Sequence, residues 1–486
     1  MKKIYFLIII SLICKIAATQ DVRTNYFLDQ YSHNHIFNPA LSPTHGYIYI
    51  PVVNLSAKAS LGGLSLSKVL FPLNGELVTG LHPQISSDKF LSNLPQNSKI
   101  AVEALDRVLS LGFYLRDQFF SFDLSVKTGA YMTIPYDFFN FLKNQTSSRD
   151  TRYNFKNLSV GSEAYVEMAL GYSRDISESL RVGAKVKVLS GLMNIQAEVM
   201  NADLHFSADE WEIKTQAQMR AAGPFLILPI DDNGLLKMDG AGVNDNFPGL
   251  GGLGWGGAVD LGAVYAFDES SPLKNLKVSV GLTDLGFIRY KSDNVLQFES
   301  AGEVSFKGVN DIKLKDSGID NVIDDILDEL SNMIDFKNVE PSKTSYSLHT
   351  KLNVGAEYGF LNNKLSVGLL SATRFGFPAT SSELIAFFNC KPTKWFGTSF
   401  STSFAKGLHS LGWALALTPK YGLNLFLGLD YIPFEYTAGD IPIPLRESRF
   451  NVSFGLSVPL GGNRHSKYKN LKQEEAPTSE AQEELI

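Results

Sequence analysis

Apolar and polar side chains alternate strictly in several parts of this chain. Residues 120–127 read Phe-Ser-Phe-Asp-Leu-Ser-Val-Lys, so each even position is apolar and each odd position is polar. A two-residue period is that of a β-strand whose two faces meet different surroundings. The period returns at residues 182–188, 276–282, 423–431 and 450–458. It predicts many strands that each have one apolar and one polar face.

The alternation gives fourteen to sixteen strand candidates that are long enough to cross a bilayer at a tilt. The number is fourteen if some short candidates join into single strands. The candidates are residues 52–66, 99–116, 118–133, 156–173, 180–197, 201–220, 257–267, 275–290, 296–307, 345–359, 364–374, 383–390, 395–405, 409–419, 422–433 and 448–459. The sequence offers no helical domain to cover their apolar faces. We therefore predict an all-β fold, a transmembrane antiparallel β-barrel of about 14 strands.

Four segments interrupt the strands. Residues 86–94 and 136–143 have the pattern of short helices, and residues 222–256 are rich in glycine without any period. Residues 319–336 place apolar side chains on one helical face and several aspartates around it. We expect this acidic helix in a loop outside the membrane.

The two ends of the chain differ from the strand region. Residues 1–19 begin with Lys2 and Lys3 and continue with a short apolar run and small residues before Gln20, which predicts a secretory signal peptide. Residues 20–51 are irregular and contain several prolines, and residues 461–486 are polar with mixed charge. We expect a signal peptide at 1–19, an N-terminal segment at 20–51, the barrel at 52–460 and a disordered tail at 461–486.

Composition narrows the class of protein. Removal of the signal peptide takes away Lys2, Lys3 and Lys15, which changes the net charge from −6 to −9, and leaves Cys390 as the single cysteine. One thiol forms no internal disulfide, so an exported disulfide scaffold is excluded. Apolar residues make up 44% of the chain, which also fits a barrel whose spanning strands are only half apolar. We expect no nucleic-acid partner.

Charged residues lie on the polar face of two neighbouring strand candidates. A turn near Ser177 would place Glu167 opposite Lys187, with Glu163, Arg181 and Lys185 on the same side. Such a charge ladder inside a barrel either binds a polar ligand or screens solutes, or its charged groups simply neutralise one another by pairing across strands. Both interpretations stay open.

The late strands carry small side chains on their polar face. Gly412, Ala414 and Ala416 alternate with large apolar residues, and Ser399 and Ser401 do the same one strand earlier. Small residues facing inward leave room for a ligand, for a plug segment or for the taper of the barrel itself.

No motif of an enzyme or a cofactor site is present. His33 and His35, with His45 nearby, lack acidic residues at a useful spacing, so we expect no metal there. Gly252, Gly254 and Gly256 precede a strand where a nucleotide loop would open a helix. An interfacial hydrolase or acyltransferase of barrel type is an alternative, because its serine and histidine need not be close in sequence, but nothing here selects such residues. We expect a non-enzymatic protein with no catalytic residues and no cofactor.

Four short segments in order resemble a known family. They are His35-Ile36-Phe37-Asn38-Pro39-Ala40, Val182-Gly183-Ala184-Lys185-Val186-Lys187, Asp260-Leu261-Gly262-Ala263-Val264-Tyr265 and Asp284-Leu285-Gly286-Phe287-Ile288-Arg289. The chain resembles an uncharacterised family of Bacteroidota outer-membrane proteins, within the wider group similar to the fatty-acid transporter FadL and the secretion-associated barrel PorV. This resemblance implies that residues 20–51 fold back into the lumen as a plug that contains His35, Asn38, Pro39 and Ala40. A turn fixed by the proline is the simpler interpretation, and the two are compatible.

Two functions follow from the sequence. The first is FadL-like uptake or binding of a small hydrophobic ligand by a barrel in contact with outer-membrane lipid. The second is a PorV-like scaffold that does not transport and contacts an envelope protein through helix 319–336 or tail 461–486. A secreted soluble sandwich or propeller is a third interpretation, but it would leave large apolar patches exposed.

Overall fold

The computed structural model describes most of the chain. It covers residues 22–49, 55–62, 64–144, 151–206, 211–237, 241–243, 253–268, 270–300, 303–306, 336–377, 380–405, 408–419, 422–437, 441–445 and 449–463. The expected signal peptide lies outside the described residues. So do residues 319–335 of the expected acidic helix and residues 464–486 of the expected tail.

Strands dominate the structure. They are β1 His45–Tyr49, β2 Leu55–Gly62, β3 Leu70–Leu73, β4 Glu76–Thr79, β5 Asn97–Leu115, β6 Gln118–Pro135, β7 Thr151–Asn154, β8 Ser159–Asp175, β9 Leu180–Phe206, β10 Trp211–Ala222, β11 Leu226–Ile227, β12 Gly242–Val243, β13 Gly254–Ala266, β14 Leu276–Arg289, β15 Val295–Ser300, β16 Glu303–Phe306, β17 Phe336–Val339, β18 Ser345–Ser347, β19 Lys351–Phe360, β20 Leu365–Arg374, β21 Ser381–Cys390, β22 Phe396–Ala405, β23 Leu408–Leu417, β24 Asn424–Ile432 and β25 Arg449–Asn463. The helices are α1 Leu66–Val69, α2 Ser87–Leu91 and α3 Tyr136–Asn144, and short 3-10 turns occur at Arg23–Asn25, Asn34–Ile36 and Ser292–Asn294. Each described helix is too short to carry the chain across a bilayer.

The large sheet closes on itself. β1 and β2 pair with β25 on one side and with β5 on the other, and both pairings are antiparallel. From this seam the ring runs through β5, β6, β8, β9, β13, β14 and β19 to β25, with each strand antiparallel to its neighbour. With β1 and β2 counted as one wall strand, fourteen strands close the ring among the described residues. The predicted fold class is confirmed.

Two strand candidates of the sequence are not part of this ring. β9 pairs with β13 up to Gly191 and then with β10 from Asn194 onward, so β9 continues beyond the wall. β10 pairs in turn with β15 and β16. Candidates 201–220 and 296–307 therefore belong to an extension outside the ring, because an alternating pattern marks any sheet that is covered on one face.

The two faces of the wall differ as the alternation predicts. Apolar side chains point outward and are well exposed, as in Leu170 and Val186 at 62%, Phe450 at 53% and Phe400 at 51%. Polar and charged side chains of the same strands point inward and are buried. The wall thus presents an apolar outer surface around a polar lumen.

The two ends of the barrel also differ. At one end the strands connect through short turns, such as those at residues 116–117, 176–179 and 361–364. At the other end the connections are long, and α2, α3, β7 and the extension pack there around an apolar core that includes Phe138, Phe141 and Phe155. Outer-membrane barrels place short turns on the periplasmic side and long loops outside.

Candidate functional site

The N-terminal segment Val22 to Thr44 lies inside the lumen, at the end with short turns. Almost all of its side chains are buried, among them the aromatic rings of Tyr26, Phe27 and Tyr31. Two 3-10 turns and a proline keep the segment compact without a regular helix. We call residues 22–44 the plug. The expected plug extended to residue 51, but His45–Tyr49 form β1 of the wall, because they pair with β25 and β5.

The Asn-Pro-Ala motif is both a turn and an anchor. The side-chain Oδ1 of Asn38 accepts the N–H of Ala40 at 2.9 Å, which closes a local turn beside Pro39. The Nδ2 of Asn38 donates to the carbonyl oxygen of Ala263 on β13 at 3.3 Å. The two sequence interpretations of this motif therefore coincide in one structure.

Glycines of the wall give the plug its seat. A Cβ at Gly183 would collide with Pro39, and one at Gly262 would collide with the side chain of Asn38. Further wall glycines face the plug in the same way at residues 281, 355, 368, 397, 412 and 428. Because a glycine has no side chain, the backbone or the side chains of the plug approach the wall at these points more closely than any other wall residue would permit.

Small residues of the late strands complete this seat. Ala414 and Ala416 are buried against Leu28 and Tyr31 of the plug. Of the three uses that the sequence left open for these positions, the plug is the one that the structure shows. The aromatic side chains of the plug occupy the space that the missing wall side chains leave.

Charges hold the N-terminal end of the plug. The guanidinium of Arg23 lies 2.7 Å from the carboxylate of Glu383 on β21. The carboxylate of Asp430 on β24 accepts the backbone N–H of Arg23 at 2.8 Å and that of Thr24 at 3.2 Å. Nearer the short turns, Lys391, which directly follows β21, donates to the carbonyl oxygen of Phe27 at 3.3 Å and lies 3.4 Å from the carboxylate of Asp29. The plug is thus held by ion pairs at two heights.

His35, the other residue of the predicted plug motif, belongs to a buried polar chain. Its Nε2 lies 2.5 Å from the hydroxyl of Tyr47, and the hydroxyls of Tyr47 and Ser110 are 3.2 Å apart. His33 also contacts the Ser110 hydroxyl, at 3.2 Å, and Ser110 donates to Asp123. Among the described residues, no group of three histidine, cysteine or acidic side chains is arranged to hold a metal ion.

A cavity of about 120 Å³ lies above the plug. Its lining includes Arg23 and Phe37 of the plug and a ring of charged wall residues. The centre of this ring is Asp284, whose carboxylate lies 2.6 Å from Lys187 Nζ, 3.3 Å from Lys127 Nζ and 3.2 Å from Lys351 Nζ. We call Asp284 and these three lysines the lysine cluster.

Two carboxylates support the lysine cluster. Glu167 accepts from Lys127 at 2.7 Å, and Asp260 lies 2.8 Å from Lys187. Asp260 also accepts the backbone N–H of Asp284 at 2.7 Å, at a point where Asp284 has a positive φ of 59° and the pairing of β13 and β14 shifts register. This bulge turns the Asp284 side chain into the lumen.

The predicted charge ladder is wrong in its register. Glu167 pairs with Leu189 across β8 and β9, and Lys187 pairs with Ala169. The prediction placed the centre of the turn at Ser177, but Asp175 pairs with Arg181, so the hairpin centres on Glu178. A shift of one residue in the centre of a turn moves the pairing register by two residues. Glu167 and Lys187 are instead diagonal neighbours, with 3.7 Å between their charged atoms.

The remaining ladder residues find separate partners. Arg181 pairs with Asp175 at 3.0 Å, and Lys185 pairs with Asp123 at 2.9 Å. Glu163 lies 3.0 Å from Nδ1 of His349, which follows β18. The structure brings Glu163, Glu167, Lys185 and Lys187 to the cavity, while Arg181 is not among the cavity-lining residues.

Sequence reasoning missed several residues of the cavity. Asp123 and Lys127 stand on the polar face of the very strand that shows the clearest alternation, and Asp260 and Asp284 begin two of the motifs that carry the family resemblance. Each was visible as a polar residue on an inward face. Their convergence depends on pairings between distant strands, which no local pattern encodes.

The sequence matches one family model over most of its length. Residues 39–430 match a family of unknown function, DUF5723. The chain belongs to this family. No curated protein matches the sequence significantly. A family of unknown function is what the motifs of the sequence led us to expect.

Solved barrels show a distant similarity to this member of DUF5723. The toluene transporter TbuX of Ralstonia pickettii is 8% identical, with a TM-score of 0.41 over 89% of this chain and 94% of its own. The toluene transporter TodX of Pseudomonas putida is 9% identical, with a TM-score of 0.37 over 91% and 94%. A FadL homologue of Pseudomonas aeruginosa is 10% identical, with a TM-score of 0.35 over 91% and 98%. Similarity at this level identifies neither a ligand nor a mechanism for the chain.

Proposed function

We propose that this protein is an outer-membrane β-barrel that binds a small molecule in the cavity above its plug, and that the plug controls passage through the lumen. No catalytic step is part of the proposal. The observation that carries the proposal is the position of the plug. The plug packs against wall glycines, its Arg23 pairs with Glu383 of the wall, and Lys391 of the wall bonds its Phe27. A segment placed this way closes the lumen below a cavity of defined lining.

Location in a membrane rests on the outer surface of the wall. Exposed apolar side chains such as Leu170, Val186 and Phe450 would be unfavourable in water at this density, whereas lipid solvates them. The short turns at one end and the long loops at the other are typical of barrels in the bacterial outer membrane.

The lining of the cavity bears on the class of ligand. The family resemblance led us to expect a hydrophobic molecule, but the lysine cluster and its carboxylates surround this cavity with charge. An apolar ligand would gain little from such a wall and would leave charged groups without water. The geometry therefore favours a polar solute, and a hydrophobic ligand becomes the competing outcome of the test.

The scaffold hypothesis has no support of its own in the described residues. It was motivated by helix 319–336 and by the tail 461–486, almost all of which lie outside them. It stays a prediction. A stoichiometric protein partner recovered from native membranes would favour it.

A reversible lock tests plug control. A Cβ at Gly428 would lie 3.0 Å from the Cβ of Val22, which is close enough for a disulfide after a small adjustment. We expect that Val22→Cys with Gly428→Cys, in a Cys390→Ser background, passes small polar solutes into liposomes when reduced and stops passing them when oxidised. Liposome swelling measures this difference.

The matched control is the same protein with only one of the two cysteines, which should swell equally under both conditions. Equal swelling of the double variant when oxidised and reduced, including no swelling in either state, would contradict plug control. Binding of a medium-chain fatty acid to the purified barrel, with no passage of polar solutes, would favour the hydrophobic ligand implied by the resemblance.

A further inference from the structure

The lysine cluster is built by the fold and does not result from flexible side chains that happen to meet. Its three lysines come from β6, β9 and β19, and all point at one carboxylate, that of Asp284. The backbone of Asp284 is fixed through its N–H bond to Asp260 within the bulge between β13 and β14. The ammonium groups are thus held close together at the wall of the cavity.

Charges of the two signs differ in their access to the cavity. The side chains of Lys127 and Lys351 are 19% and 24% exposed, whereas those of Asp284 and Asp260 are 7% and 1% exposed. Arg23 of the plug adds a third accessible cation at 16%. The carboxylates of the cluster lie behind its lysines, whereas Glu163 of the cavity lining is 15% exposed and pairs with His349. A molecule that enters the cavity therefore meets, among the described lining residues, three accessible cations and one accessible carboxylate.

Hydrogen-bond donors of Lys351 that have no partner in the described part of the chain also favour an anionic ligand. An ammonium group has three donors, and among the described residues Lys351 has one partner, Asp284. An oxyanion in the cavity would accept from the remaining donors of Lys351 and would meet the charge of the lysines.

We propose that the lysine cluster is a binding site for a small oxyanion, a carboxylate or a phosphate, in the cavity above the plug. This inference rests on the proposed function, because it names the class of solute that the cavity takes. The volume of about 120 Å³ admits a small anion with a few waters. Lys127 and Lys351 supply the contacts, and Asp284 positions them.

Calorimetric titration of the detergent-solubilised full-length protein tests the site. Inorganic phosphate and propionate are the two anionic probes, and propionamide is the neutral match of propionate. We expect at least one anion to bind and propionamide to bind at least roughly tenfold more weakly, since a charged hydrogen bond is lost. The tighter of the two anions identifies the class of oxyanion.

Variants separate the site from general charge effects. Lys351→Gln should weaken anion binding roughly tenfold, while Lys351→Arg should keep it. Lys277→Gln is the matched control, because Lys277 is similarly exposed, at 30%, and pairs with Glu357 near the other end of the lumen. Lys127→Gln is the second test variant if Lys351→Gln does not fold, as judged by heat-modifiable migration.

Absence of binding by both anions, equal binding of propionate and propionamide, or unchanged binding by Lys351→Gln would each overturn the site. These results are distinguishable from failure of plug control. If the anions bind but the disulfide lock has no effect on swelling, the plug proposal fails and the site stands. If the lock works but no anion binds, the site fails alone.

Discussion

At the scale of single residues, two buried histidines stand out. His33 and His35 lie in the plug with 0% and 1% exposure, and neither Nδ1 has a hydrogen-bond partner among the described residues. Burial, together with the positive charge of nearby Lys185, lowers the pKa of His35 to about 3. Burial, together with the positive charge of Arg107, also holds the pKa of His33 well below its usual value. Both side chains are neutral in the folded protein.

We expect acid to weaken the hold of the plug. Because the folded pKa values lie below the unfolded value of about 6.5, the stabilisation is complete above that pH and is lost as the pH falls from about 6.5 toward 3. Asp123 opposes part of this effect by attracting the protonated rings. The measurement is the rate of trypsin cleavage after Arg23 as the pH is lowered, with the trypsin activity calibrated at each pH.

A variant with His33→Asn and His35→Asn is the control, since it has no imidazole to protonate. Its cleavage rate should change less with pH than that of the wild-type protein. Identical pH profiles for the two proteins would show that the histidines do not govern release of the plug.

At the scale of elements, the plug packs closely against the wall because glycines of the wall strands leave space for it. Gly262 on β13 faces Asn38 so closely that any Cβ there requires the plug to move. Gly183 on β9 pairs with Gly262 across the two strands and faces the next residue of the plug, Pro39. The seat is therefore continuous across neighbouring strands.

Gly262→Val should displace the plug while the wall stays closed. Overpacking of a tight contact costs roughly 1–3 kcal/mol, so we expect trypsin to cleave after Arg23 roughly 5- to 150-fold faster. Gly242→Val is the matched control, because no atom lies within 4 Å of a Cβ at Gly242. An unchanged cleavage rate in Gly262→Val would mean that this contact does not seat the plug.

The sequence predicted the wall better than the plug for a physical reason. Alternation is a local property of each strand, so residues 120–127 or 182–188 disclose their two faces without knowledge of their neighbours. Register depends on the exact centre of a turn, and an error of one residue displaced Lys187 from its true partner. The contacts of Arg23 with Glu383 and Asp430 join residues 360 and 407 positions apart, and no local pattern encodes them.

At the scale of the whole molecule, the apolar outer surface sets where the barrel is stable. Val186 lies near the middle of its wall strand, is 62% exposed and points away from the lumen, while its neighbours Lys185 and Lys187 point inward and are buried. Successive residues of the strand thus face lipid and lumen in turn.

Val186→Lys should impair insertion into a bilayer. A lysine at the membrane midplane costs roughly 2–4 kcal/mol, so the folded fraction in phospholipid vesicles should fall at a given urea concentration. Leu361→Lys is the control, since Leu361 is 69% exposed but lies in a short turn at the end of the barrel. Equal loss in both variants, or no loss in either, would argue against a lipid-facing position for Val186.

The seam of the barrel has a consequence for the order of assembly. β1 directly follows the plug in the chain and pairs with β25, so His45 meets Asn463 across the seam. Pairing of strands this far apart is slow, because a very long loop must close first. The strands between the two can pair with their neighbours earlier, which makes the seam the last part of the ring to form. Since the plug is attached to the seam strand, it enters the lumen before or as the ring closes, and a chain that closes first would trap it outside.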